Sequence, residues 1–118
     1  PRSTLFPYTT LFRSHIAPGD RSRVLERLAA SGREIVSVGH DAIAAFAGNM
    51  LELASWDEAL GDCSVLIMSA RARAALGSDA YARLSACVDN VVAVPIPTIE
   101  RLGGGSVRCM LAEVFATP

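Results

Sequence analysis

The chain is expected to fold as an α+β protein, on three observations. Short β-branched or apolar runs (EIVSV, VLIM, NVVAVP) alternate with short stretches of helical periodicity. Hydrophobic residues make up 51% of 118 residues, enough for the core of one domain. A similar order of elements also occurs twice: IVSV, a short helix, then AGN-MLEL, and later VVAV, a short helix, then GGGSVRC-MLAE. This faint repeat aligns Asn49 with Cys109, each at an expected strand start after a glycine break.

The elements follow in order. APGDRSRVLERLAASGRE reads as a helix, with Asp20 as its cap and Gly32 after its last turn. Val24, Leu25, Leu28 and Ala29 form its apolar stripe. Glu34 to Val38 is a strand, Asp41 to Phe46 a short helix ended at Ala47-Gly48, and Met50 to Leu53 a second strand. Ser55 to Asp62 is polar and is expected to be a loop. Val65 to Met68 is continuously apolar, as in a strand buried on both faces. Ser69 then caps a helix through Leu76, and Gly77-Ser78 breaks it. A second helix runs to Cys87 with Tyr81, Leu84 and Val88 inward. Asn90 to Pro95 is a strand, and Thr98 to Leu102 a helical turn. Cys109 to Phe115 is expected to be a final strand, although RCMLAEVF also fits a helix.

Bulk properties exclude several classes. Net charge is −1, with no basic patch to meet nucleic acid. All 11 basic residues are arginine, a codon-usage trait with little functional content. No apolar run approaches the ~18–20 residues of a membrane span. No partnership with nucleic acid or membrane is therefore expected. Three widely spaced cysteines (Cys63, Cys87, Cys109) suggest reduced thiols and a cytoplasmic protein rather than a disulfide framework. No Cys/His spacing suits zinc, so no metal is expected.

Residues 1–14, PRSTLFPYTTLFRS, have a different origin on this reading. They match the in-frame translation of a sequencing-library adapter oligonucleotide over the whole stretch. They are set aside from fold reasoning, and residues 15–118 are taken as the biological segment. Without Arg2 and Arg13, 9 basic residues face 12 acidic ones, a charge of −3. The natural frame is expected to extend upstream of His15.

The candidate chemistry lies in TIERLGGGSVRCMLAE. A glycine run is entropically costly and persists where the backbone needs unusual torsions or close approach. The pattern lacks the GK[ST] ending of a phosphate loop and the spacing of a GxSxG elbow. Cys109 remains. It is either a small buried hydrophobe or a nucleophile opened to substrate by the glycines, with Arg108 beside it to favour the thiolate. Cys63 and Cys87 have no such context and read as core. A nucleophilic cysteine needs an acid–base partner, commonly His. Only His15 and His40 exist, and neither is marked for that role. Glu52 and Glu113 read as structural strand residues.

FAGNMLEL, LIMSARARAAL and IPTIERLGGGSVRCMLAEVF resemble the C-terminal part of the arginine deiminase-related citrulline hydrolases, within the guanidino-group-modifying superfamily. The resemblance covers essentially all of residues 15–118. It implies the pentein fold, five ββαβ modules arranged as an α/β propeller, of which this chain would hold about two. It implies that Cys109 attacks the guanidino or ureido carbon of citrulline, arginine or a related small molecule through a covalent intermediate, without metal or organic cofactor. Asn49, Gly104 and Gly105 are implied at the substrate pocket. The family's acid–base histidine lies in a His-Thr-Asn-Val-like segment, and its substrate-gripping carboxylates lie on earlier modules. No such segment occurs here, so the fragment is expected to need its N-terminal modules and to be inactive alone. Three alternatives stay open: amidino transfer, hydrolysis of methylated arginines, and a non-catalytic binding domain.

Overall fold

The computed structural model describes residues 8–11, 16–32, 34–59 and 61–112. Its elements are β1 (Tyr8–Leu11), a 3-10 turn (Pro18–Asp20), α1 (Arg21–Ala30), β2 (Glu34–Ser37), α2 (His40–Ala44), β3 (Leu51–Asp57), β4 (Gly61–Ser69), α3 (Ala70–Ala75), α4 (Ser78–Ser85), β5 (Asn90–Val94), α5 (Pro97–Leu102) and α6 (Val107–Met110). The fold is mixed α+β with small sheets. The parallel pair β1–β2 forms one, and β3–β4–β5 forms the other, β4 antiparallel to β3 and parallel to β5.

The core gathers Val36 of β2, Ala42 of α2, Leu66 and Met68 of β4, Ala72 and Leu76 from α3 and its cap, and Leu84 of α4. Leu66 and Met68 are fully buried, whereas Val65 and Ile67, which alternate with them, are half-buried. The VLIM run is thus sealed on one face and only partly covered on the other. Arg83 ties α4 to β2 by donating from Nε to Glu34 Oε1 (2.7 Å) and from its guanidinium to the Ile35 carbonyl (2.9 Å). Ser69 caps α3 as expected, its Oγ accepting from the Ala72 N–H at 3.0 Å.

Several expectations are corrected. Residues 55–57 and 61–62 are paired strand rather than loop. They extend β3 and β4 into a hairpin, with Ser55 opposite Cys63 and Asp57 opposite Gly61. A two-stranded extension projecting into solvent satisfies its main chain by pairing and needs no apolar residues. Asp57 Oδ1 accepts from the Ala59 N–H at 2.8 Å, and Gly61 takes φ 72°, which together turn the chain. Asp20 precedes α1 without capping it, because its carboxylate engages Arg23 at 2.6 Å.

The final strand is also corrected: Cys109 and Met110 lie in a helical turn, and the part of that strand expected beyond residue 112 lies outside the described residues. A helical turn closes its own hydrogen bonds, as in the Cys109 N–H donation to the Ser106 carbonyl at 3.0 Å, whereas a strand requires a partner edge. The segment set aside at the N-terminus contributes β1, which pairs with β2 from Tyr8↔Glu34 to Leu11↔Ser37. Tyr-Thr-Thr-Leu is β-favouring whatever its origin. Among the described residues, no helix is long and apolar enough to cross a membrane.

Candidate active site

The three glycines do different work. Gly103 follows α5, its N–H donating to the Ile99 carbonyl at 2.7 Å. Gly104 takes φ 67°, the left-handed step that ends a helix and that glycine adopts without penalty. Gly105 runs against the thiol: a Cβ there would sit 3.1 Å from both Cβ and Sγ of Cys109. Only the third glycine therefore provides the clearance read from the sequence. The first two terminate α5 so that the chain can turn into α6. Open space surrounds the Cβ direction of Gly104.

Cys109 is exposed, on a single helical turn anchored by buried Val107. Asn49 reaches it from the other side of the chain. After α2 the backbone takes a left-handed step at Phe46 (φ 66°), with the Asn49 N–H closing on the Phe46 carbonyl at 2.8 Å. Asn49 then makes two contacts, across 59 and 60 residues of sequence. Its Oδ1 accepts the Arg108 N–H at 2.9 Å, and its Nδ2 donates to Cys109 Sγ at 3.0 Å. The amide orientation follows from chemistry, since a backbone N–H can only donate and the oxygen must face it. The nitrogen is left for sulfur.

This environment holds the Cys109 thiol below the usual thiol range. The Asn49 hydrogen bond is the main cause, a backbone hydrogen bond with Ser106 comes next, and the nearby Arg108 charge adds least against an opposing desolvation. Each donor stabilises the anion, which is the nucleophilic form.

A family model described as N,N dimethylarginine dimethylhydrolase, eukaryotic, matches residues 11–116. The chain belongs to that family. No curated protein and no solved structure matches it significantly. The N,N dimethylarginine dimethylhydrolase family supports a guanidino-group hydrolase of pentein type. It agrees with the sequence resemblance at the superfamily level, and does not extend to the arginine deiminase and citrulline particulars.

Cys63 and Cys87, expected in the core, are half-buried, whereas Cys109 is exposed. Cys87 is pushed up by burial first and by the Glu34 and Glu52 carboxylates second. Glu52, on β3, is itself raised by burial and by Asp89, and its Oε2 is buried without a hydrogen-bond partner.

No histidine is among the groups that shift the Cys109 thiol within the described residues. His40 instead begins α2 and lines a 590 Å³ cleft with Asp41, Leu76 and Asp79, and Cys109 is not part of that lining. His15 and Glu113 lie outside the described residues. Among the described residues, no three His, Cys, Asp or Glu side chains converge to hold a metal ion.

Sequence reading missed Glu100 and Ser106. Both are buried, and the Ser106 hydroxyl donates to Glu100 Oε1 at 2.7 Å. The apolar neighbours Ile99 (38% exposed) and Leu102 (75% exposed) face solvent instead. Nothing in TIERL marks the glutamate as the inward residue.

Proposed function

We propose that Cys109 is the nucleophile of a hydrolase acting on N-methylated arginine, with arginine and citrulline as less favoured substrates. Membership of the N,N dimethylarginine dimethylhydrolase family supports the substrate class. The observation that carries the residue assignment is the exposed Cys109 sulfur, 3.0 Å from the Asn49 donor and held toward its thiolate.

In this reaction the Cys109 thiolate adds to the guanidino carbon. The bond from that carbon to the methylated nitrogen breaks, and the amine leaves with a proton from a general acid. Water then attacks the resulting thiouronium carbon, its oxygen becoming the ureido oxygen, and the thiol is regenerated. Asn49 orients the sulfur for attack and favours its return as a leaving group. Gly105 sets no side chain of its own against the sulfur. The chain's own residues need no metal or organic cofactor for these steps.

The general acid and the substrate-gripping carboxylates belong, on this proposal, to upstream pentein modules, and residues 15–118 supply about two modules of five. The reading extends to residues 1–14 as an adapter-derived segment and to a reducing, cytoplasmic setting that suits three free thiols. The isolated chain is then inactive.

The test is a protein in which residues 15–118 are joined to their natural upstream sequence, offered dimethylarginine, arginine and citrulline in parallel. The expected result is a ureido product and dimethylamine from dimethylarginine, with Cys109→Ser lowering turnover by roughly 10³-fold or more. Faster release of ammonia from arginine would return the assignment to an arginine deiminase. Full activity in the Cys109→Ser protein would remove the nucleophile assignment.

A further inference from the structure

Ser106 stands at the N-cap of α6 with extended backbone, yet its side chain makes no cap hydrogen bond. An N-cap serine ordinarily accepts the N–H of the second or third helical residue. In α6 the second residue is Arg108, and its N–H goes instead to Asn49 Oδ1 at 2.9 Å. The Ser106 hydroxyl is turned to Glu100 Oε1 at 2.7 Å, in a pair where Ser106 is fully buried and Glu100 is 6% exposed. Were its side chain rotated to the ordinary capping position, Ser106 Oγ would be a second acceptor for that one donor. Ser106 Oγ is local and costs little chain entropy to engage, whereas Asn49 arrives from 59 residues away.

We propose that Glu100 is a positioning residue that settles this competition: by taking the Ser106 hydroxyl, it reserves the Arg108 N–H for Asn49 Oδ1 and so keeps Asn49 Nδ2 on the Cys109 sulfur. The inference rests on the reading of Cys109 as the nucleophile. Glu100 touches neither sulfur nor substrate and acts through Ser106 and Asn49. Without it the serine turns back to cap its own helix, the Asn49 amide loses its anchor, and the thiolate loses its main donor.

The test uses the full chain and reads the rate of Cys109 alkylation by iodoacetamide against pH, with Cys63 and Cys87 followed in the same digests as a measure of folding. Near neutral pH, Glu100→Leu is expected to slow Cys109 alkylation about five- to tenfold, the scale of losing a hydrogen bond to the thiolate. Glu100→Asp, a methylene shorter, shifts the rate less in the same direction. Glu100→Gln, which keeps an acceptor oxygen, stays close to the parent.

The decisive variants add Ser106→Ala to Glu100→Leu and to Glu100→Asp. Removing the competing hydroxyl is expected to return the rate toward the parent, which a merely structural role for Glu100 would not do. The proposal is overturned if Glu100→Leu and Glu100→Asp react like the parent. It is equally overturned if Ser106→Ala restores nothing in chains whose Cys63 and Cys87 keep their parent rates. Should Cys63 and Cys87 become fast in the leucine pair, the aspartate pair decides. Turnover does not enter this readout, so the nucleophile assignment is tested separately by Cys109→Ser in the extended enzyme.

Discussion

Two segments of the chain begin alike and end differently. In the first, β2 is followed by the short helix α2, and a left-handed residue, Phe46 (φ 66°), comes two positions after that helix ends. In the second, β5 is followed by α5, and Gly104 (φ 67°) holds the corresponding place. From there the first segment reaches Asn49 and passes into the long strand β3, while the second passes through Gly105 and Ser106 into the single turn that carries Cys109. The extra residues in the second copy build a turn with open hydrogen-bonding groups. The first copy supplies an amide that fills them. The two segments are complementary, one bearing the sulfur and the other its donor.

The comparison breaks most severely at Asn49. Asn49→Asp still accepts the Arg108 N–H but sets an anion beside the sulfur, which favours the neutral thiol. In an enzyme completed upstream, turnover is expected to fall about 100-fold, and for Asn49→Ala less, about tenfold, since it removes both the donor to sulfur and the acceptor of the Arg108 N–H but adds no charge. Steady-state kinetics of the two variants checks this. An Asn49→Asp protein that loses less than Asn49→Ala would mean that Asn49 serves only to accept the Arg108 N–H.

The next effect is on pH dependence. Donors hold Cys109 low, while burial and the Glu34 and Glu52 carboxylates hold Cys87 high. The ratio of Cys109 to Cys87 alkylation is therefore expected to be greatest below the ordinary thiol pKa of ~8.5 and to fall as pH rises above it, where the raised Cys87 also becomes thiolate. A ratio constant across that range would remove the special environment of Cys109.

The smallest effect separates the two left-handed residues. Gly104→Ala forces a Cβ into that conformation, for which about 1 kcal/mol of destabilisation is expected. Phe46→Gly relieves the same strain but gives up the ring over which the Arg71 guanidinium lies at 5.7 Å, so its net change is expected within about 1 kcal/mol of zero. Denaturant midpoints measure both, and a stabilised Gly104→Ala protein would mean that the turn at Gly104 does not need its left-handed step.

Much of this was readable where one residue type has one physical use. The β-branched runs at β2 and β5, the Ser69 cap and Gly32 after α1 (φ 73°) answer to local rules, and the structure follows them. The repeat aligned Asn49 with Cys109 without predicting contact between them, and the strand start it assigned to Cys109 is a helical turn instead. The hairpin at 55–62 escaped because polar composition signals exposure, and an exposed hairpin and a loop share it. Glu100 escaped because its burial depends on Ser106, six residues away across a glycine turn, and charged residues are almost never fully buried unless paired. Partnerships that exist only in three dimensions leave no local pattern.

The hydrogen bond that joins Asn49 to Cys109 spans 60 residues of sequence. While the polypeptide is still emerging, or whenever it opens, those two residues are far apart and the sulfur behaves as an ordinary, sluggish thiol. Heightened reactivity arrives only with the finished tertiary contact. On the proposed role of Cys109, the contact that readies the sulfur is thus made by the same step that completes the fold around it.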